Sequence, residues 1–262
     1  MVSAIEFAGL VGLVIGVSLV GVALWHWYVG RKVTVGKHVP IADVEHGERV
    51  ILEGEITDAD ETFRTPLSSK TYAVVNAWGV EKGKRRSNRP GWRFTEMTGG
   101  VDATPFVLED ETGRVRVEPR SFSQTGFGTP VTRGVTGNNV YAEISTFGSR
   151  ETVERDEHEP PAVRTFLDAH PFVTIGSLPH CHRYNDGTIS AGDSVTVIGR
   201  AASSDREDLR GTVQPDRGEP LVIADQDFDS LLSHIQTSKS MLSVGLILAL
   251  LGGELYWGWL AL

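Results

Sequence analysis

Two long apolar runs bracket a middle made of short alternating segments. Residues 7–29 contain no Asp, Glu, Lys or Arg, and residues 241–262 contain one acid, Glu254. About 20 apolar helical residues cross a hydrocarbon core of roughly 30 Å. The pattern therefore predicts a transmembrane helix at each end, with both termini on one side of a membrane. Trp25, Trp27 and Tyr28, and then Tyr256, Trp257 and Trp259, sit where aromatic belts meet the interface. The first six residues hold no basic residue, so the first run reads as an anchor rather than a cleaved leader. Antiparallel depth would put Gly21 near Ala249, Gly16 near Gly253 and Gly12 near Gly258, and the small-residue spacing of Gly12/Gly16 and of Gly245/Ala249/Gly253 suits packing of the two helices or association of copies into a homo-oligomer. Glu254 is the intramembrane polar residue, read as protonated or hydrogen-bonded rather than as part of an ion path.

The middle reads as strands and turns. Val50, Leu52 and Ile56 alternate around Gly54, residues 72–78 are rich in β-formers, and Trp92, Phe94, Glu96 and Thr98 share one face of a further strand. Phe106 and Leu108 lead through an Asp110-x-Thr112-Gly113 turn into Val115 and Val117, a hairpin. Later strands are predicted over 141–147, 194–201 and 220–224. Helix is predicted over 162–169, after two prolines, and over 227–240, where Phe228, Leu231, Leu232 and Ile235 fall at helical spacing. Residues 126–139 and 150–161 read as loops. The expected fold is a mainly β soluble domain, with OB-like barrel or β-sandwich elements, between two transmembrane α-helices. Its divisions are 1–30, 31–226 with a subdivision near 150–165, 227–240 and 241–262.

Charge narrows the partners. The net charge of −9 argues against a general nucleic-acid binder. The acidic, lysine-poor, arginine-rich balance resembles proteins of salt-accumulating halophiles. Arg31, Lys32, Lys37 and Lys239 flank the apolar runs, which predicts a two-pass protein of the cell membrane with its domain on the cytoplasmic side. Cys181 is the single cysteine, so neither an intrachain disulfide nor a zinc site built on several thiolates is expected.

Several segments in order carry a family resemblance. Leu52-Glu53-Gly54, the 72–78 strand, Thr104-Pro105-Phe106-Val107-Leu108-Glu109-Asp110 with Gly113, and Gln226-Asp227-Phe228-Asp229-Ser230-Leu231-Leu232 before an apolar run resemble the GIDE (Mulan) family. Its eukaryotic members are RING-type E3 ubiquitin ligases with a membrane-side domain between two spans. The resemblance implies a membrane bilayer, a protein partner and binding or organisation of a membrane complex. RING ligase activity, the family's label, needs two zinc sites dominated by thiolates, and one cysteine does not supply them.

Other chemistry is sparse. His180, Cys181 and His182 form a cluster that His170 or His158 would have to extend into a metal site, and no spacing completes the sphere. On a strand, Cys181 would point away from its neighbouring imidazoles, which disfavours a Cys–His nucleophile. The run Lys82, Lys84, Arg85, Arg86, Arg89 and Trp92 is the basic segment, read as an exposed hairpin loop that offers a partner or membrane surface. No nucleophile elbow, phosphate loop or HExxH pair is present. The reading is a non-enzymatic binding domain without cofactor, in which Phe228, Leu231 and Leu232 dock the lead-in helix. The second reading is an OB-like ligand or nucleic-acid module, which aromatic platforms on one sheet face would favour.

Overall fold

The structure, a computed structural model, describes residues 35–62, 64–65, 67, 72–85, 91–119, 134–137, 140–145, 148–154, 158, 160–170, 181–216 and 219–236, with residues 11, 14, 15, 17 and 18. Its strands are β1 (Lys37–His38), β2 (Arg49–Ala59), β3 (Ala73–Arg85), β4 (Trp92–Ala103), β5 (Phe106–Asp110), β6 (Gly113–Val117), β7 (Gly134–Gly137), β8 (Val140–Glu143), β9 (Ser149–Val153), β10 (Cys181–Ser190), β11 (Ser194–Ala202), β12 (Thr212–Gln214) and β13 (Leu221–Ala224). Helix α1 is Pro161–Ala169 and α2 is Phe228–Gln236. Two units separate, Gly36–Phe228 and a second made of Met1–Val35 with Asp229–Leu262.

A closed five-stranded barrel forms the first layer. β2, β5, β6, β12 and β11 are neighbours in that order, and β11 pairs back onto β2. β6 and β12 are parallel, and the other barrel pairs are antiparallel, a Greek-key order of the OB type. Period-two alternation turns Leu52, Ile56, Phe106, Leu108, Val115, Val117, Val195 and Val197 into the core, where all are buried. Gly54 is required at the β2–β5 crossing, because a Cβ there would meet the Glu109 carbonyl oxygen at 2.4 Å. The 5–6 hairpin is fixed by Asp110, whose Oδ1 accepts from the Thr112 N–H at 2.7 Å and the Gly113 N–H at 2.9 Å, while Oδ2 accepts from the Ile41 N–H at 2.9 Å. Those bonds outweigh the burial that would raise its pKa, and the carboxyl lies below its ordinary value.

A four-stranded antiparallel sheet, in the order β4-β3-β10-β9, forms the second layer. Val75, Ala77 and Ile189 on one face join the barrel core. The other face carries Trp78, Val80 and Tyr184 beneath α1, which buries Val163, Phe166 and Leu167 against them. Pro161 opens α1, where the missing N–H costs nothing. At its end His170 shares a 2.9 Å hydrogen bond between Nδ1 and the Phe166 carbonyl and places Nε2 3.3 Å from Asp102.

The expected membrane architecture requires correction. Among the described residues no helix is long and apolar enough to cross a membrane. Helices α1 and α2 hold nine residues each, about 14 Å at 1.5 Å per residue, and both are amphipathic. Among the described residues the structure therefore holds a β-rich fold with a closed barrel and no flanking membrane helix, which contradicts the expected domain between two spans and the two-pass cell-membrane placement. Both apolar runs lie outside the described residues, apart from the helical positions 11, 14, 15, 17 and 18. Three strands replace expected loops or gaps: β7 within 126–139, β9 overlapping the start of 150–161, and β10. Helix α2 is described to Gln236.

Candidate functional site

Beyond Gly79 the four-stranded sheet contributes nothing to the barrel core, and its far end gathers the sequence's basic run with two aromatics. Phe94 lies opposite Gly83 and Trp92 opposite Arg85, while on the other side of β3, Cys181 lies opposite Gly83 and Arg183 opposite Glu81. Directly opposed residues share a face. One face thus carries Trp92, Phe94, Cys181, Glu81, Arg183 and Asn185. Gly83 is its floor: a Cβ there would lie 3.1 Å from Phe94 Cε1, 3.2 Å from Trp92 Cε3 and 3.1 Å from Cys181 Cβ. Both rings lean over the bare backbone, beside the buried Cys181.

Next to the rings is an ion network. The Arg183 guanidinium lies 3.9 Å from the Phe94 centroid and donates from Nε to Glu81 Oε2, which also accepts from Asn185 Nδ2 at 3.2 Å. Arg150 Nε donates to Asn185 Oδ1 at 2.9 Å. Partial burial acts to raise the Glu81 pKa, but the bonds from Arg183 and Asn185 hold it below the usual carboxylate range.

The reverse face is cationic. Lys82 lies opposite Thr95 and His182, and Lys84 lies opposite Arg93. Neither Lys82, Lys84 and Arg93 on this face nor Arg85, which lies opposite Trp92 on the aromatic face, has an ion-pair partner among the described residues. By contrast, Arg49, Arg114, Arg116, Arg200 and Arg206 on the barrel and its loops each pair with a carboxylate. Like charges directly opposed, as Lys84 and Arg93 are, destabilise a sheet.

The basic run is thus strand rather than loop as far as Arg85, and its members divide between two faces, with Trp92 on the aromatic side. Arg86 and Arg89 lie outside the described residues, as do His180 and Glu254. Cys181 and His182 are consecutive on β10 and so point to opposite faces. His170 is committed to α1 and Asp102, and among the described residues no three metal-ligating side chains gather. Phe228 opens α2: its N–H donates to Glu53 Oε1 at 2.7 Å, and its ring lies 5.7 Å from that of His38, whose Nε2 is 3.3 Å from Glu53 Oε2. Leu231 is buried and Leu232 half-buried.

No family model, curated protein or solved structure matches the chain. The site therefore rests on its own geometry. Sequence reasoning missed Gly83, Glu81, Arg183 and Asn185. The alternation of Trp92 with Phe94 was a signal for the aromatic face, whereas nothing in the polar stretch of β10 marks Arg183 as its neighbour.

Proposed function

We propose that this chain is a non-enzymatic binding module that takes an acidic segment of a protein partner at the far end of the four-stranded sheet. The observation that carries the reading is the grouping of Lys82, Lys84 and Arg93 on one face of the sheet end, with Arg85 on the other face beside Trp92, all without carboxylate partners among the described residues, in a chain of net charge −9. Carboxylates arriving from a partner relieve the repulsion between opposed cations, and Trp92 and Phe94 offer apolar area within the same few residues. The resemblance of several segments to the non-RING part of the GIDE family supports a protein partner.

The barrel supports the nucleic-acid alternative poorly. The residues of β5 and β6 that point away from the barrel core are Val107, itself buried, Glu109, Arg114 and Arg116, with no aromatic platform, and the two arginines are engaged by Glu109, Asp60 and Glu118. Titration of the full chain with fluorescein-labelled polyglutamate and with a single-stranded oligodeoxynucleotide tests the reading. Polyglutamate should bind, weaken as salt rises past the Debye regime of about 0.1 M, and lose about tenfold in affinity with Lys82→Glu/Lys84→Glu. Each exposed pair contributes roughly 0.2–1 kcal/mol before any repulsion is added. Oligonucleotide binding of equal or greater strength, or polyglutamate binding untouched by the substitutions, would overturn it.

A further inference from the structure

We infer that the partner segment binds as an added strand along the outer edge of β4, and that it alternates acidic with apolar residues. The inference rests on the function proposed above and gives that site its mode of recognition. β4 is 12 residues long and, among the described residues, pairs with β3 alone. An edge strand presents alternate N–H and C=O groups outward, ready to template another chain. Edges of this length are normally blunted by bulges or charge. The irregularity here lies between Val80 and Glu81, which leaves Trp92 to Glu96 in unbroken register with Arg85 to Glu81. Five residues of regular edge remain, about 17 Å of strand.

The two faces dictate the side chains of the added strand. The pleat continues across the new pair, so alternate residues of the incoming segment stand beside Trp92 and Phe94, and the intervening ones stand beside Arg93 and Thr95. On the first face the immediate neighbours are two rings over Gly83, with Arg85 one strand further in and opposite Trp92. Apolar side chains gain most there. On the second face Arg93 is the immediate neighbour, with Lys84 one strand further in and opposite it. Strands are about 4.8 Å apart, within the reach of a lysine side chain, so one carboxylate meets two cations. A segment of either uniform character leaves one face unmatched. An alternation of period two satisfies both, and its backbone satisfies the open edge.

The experiment uses the full chain and two synthetic ten-residue peptides of identical composition, five Glu and five Val, one strictly alternating and one with the Glu and Val residues in separate blocks. Binding is read by fluorescence anisotropy, and backbone amide exchange of residues 91–98 is read by mass spectrometry with and without peptide. The alternating peptide should bind at least tenfold more tightly than the blocked one, slow exchange of the β4 amides, and lose about tenfold in affinity with Arg93→Glu. Should both peptides bind equally, with β4 amides exchanging as in the free protein, strand addition is overturned while the acidic-partner reading stands. Should neither bind and polyglutamate fail as well, both fall. Lys84→Glu, placed on β3 away from the edge, gives a second variant: normal affinity for the alternating peptide in a folded Lys84→Glu chain counts against the proposed pairing of faces.

Discussion

Replacing Arg183 with Met should unhook the ion network from the aromatic shelf and cost about 2 kcal/mol. Methionine preserves the length and apolar stem of the side chain, so the change removes the guanidinium and little packing. Two interactions go: the bond from Nε to Glu81, and the stack 3.9 Å above Phe94. A hydrogen bond to a charged acceptor contributes about 1.5–3 kcal/mol. The two side chains are 22% exposed, which favours the low end of that range. An exposed cation–π contact adds about 0.5 kcal/mol. For a folded unit of this size, 1 kcal/mol moves Tm by roughly 2–4 °C, so a fall of about 4–8 °C is expected in thermal melts followed by circular dichroism at pH 7. The pH dependence has a definite sign. The Glu81 carboxyl sits below its ordinary value, near 4.3 in the unfolded chain, so its contribution is present above that value and is lost as pH falls through the lower folded value. The gap between wild type and Arg183→Met should therefore be widest above about pH 5 and narrow below about pH 4. A double-mutant cycle with Phe94→Leu isolates the stacking share. A Tm difference under about 1 °C at pH 7, or an equal gap at pH 3, would refute the reasoning.

Two further outcomes are expected. In Gly100→Ala the new methyl would meet Trp78 Cζ2 at 2.3 Å, with that indole held by Phe166 at 5.5 Å and His170 at 4.3 Å; a loss near 3 kcal/mol, the upper end for overpacking, should show in urea titrations, and an unchanged midpoint would mean the indole has room to move. Burial, and then the neighbouring Glu143 carboxylate, push the Tyr141 phenol well above its ordinary value, so the protonated form is favoured in the fold: stability should hold up to about pH 10 and then fall with rising pH by up to about 1.4 kcal/mol per unit. Tyr141→Phe should flatten that alkaline decline, and a decline equally steep in the variant would exclude Tyr141 as its source.

The barrel was legible because its core-facing positions are apolar at period two. Val50, Leu52 and Ile56, then Phe106, Leu108, Val115 and Val117, recur at period two on the core face, even though Ile51 and Val107 are buried on the opposite face, and the Asp110–Gly113 turn fixes the register of β5 and β6. Helix α1 was legible from Pro161 and the spacing of Val163, Phe166 and Leu167. The second sheet was not, for a physical reason. β10 reads Cys-His-Arg-Tyr-Asn-Asp-Gly-Thr-Ile-Ser, and its Arg183 and Asn185 side chains are bonded to Glu81 and Arg150, on strands distant in sequence. A strand whose burial is compensated by hydrogen bonds rather than apolar contacts leaves no hydrophobic period to read. The basic run misled for the same reason: Lys82 and Lys84 resemble a loop until Thr95 and His182 are placed beside them.

The second sheet is assembled from two excursions of the barrel chain, one between β2 and β5 and one between β6 and β11. Glu81 and Arg183, bonded across it, lie 102 residues apart. At about 5–20 residues per second of synthesis, the β3–β4 hairpin leaves the ribosome roughly 5–20 s before β10 exists to cover it. Throughout that interval the inner edge of β3, with Val74, Val75, Ala77, Trp78 and Val80, is an open template, and Lys82, Lys84 and Arg85 at its tip are the charges that keep nascent chains from joining through it.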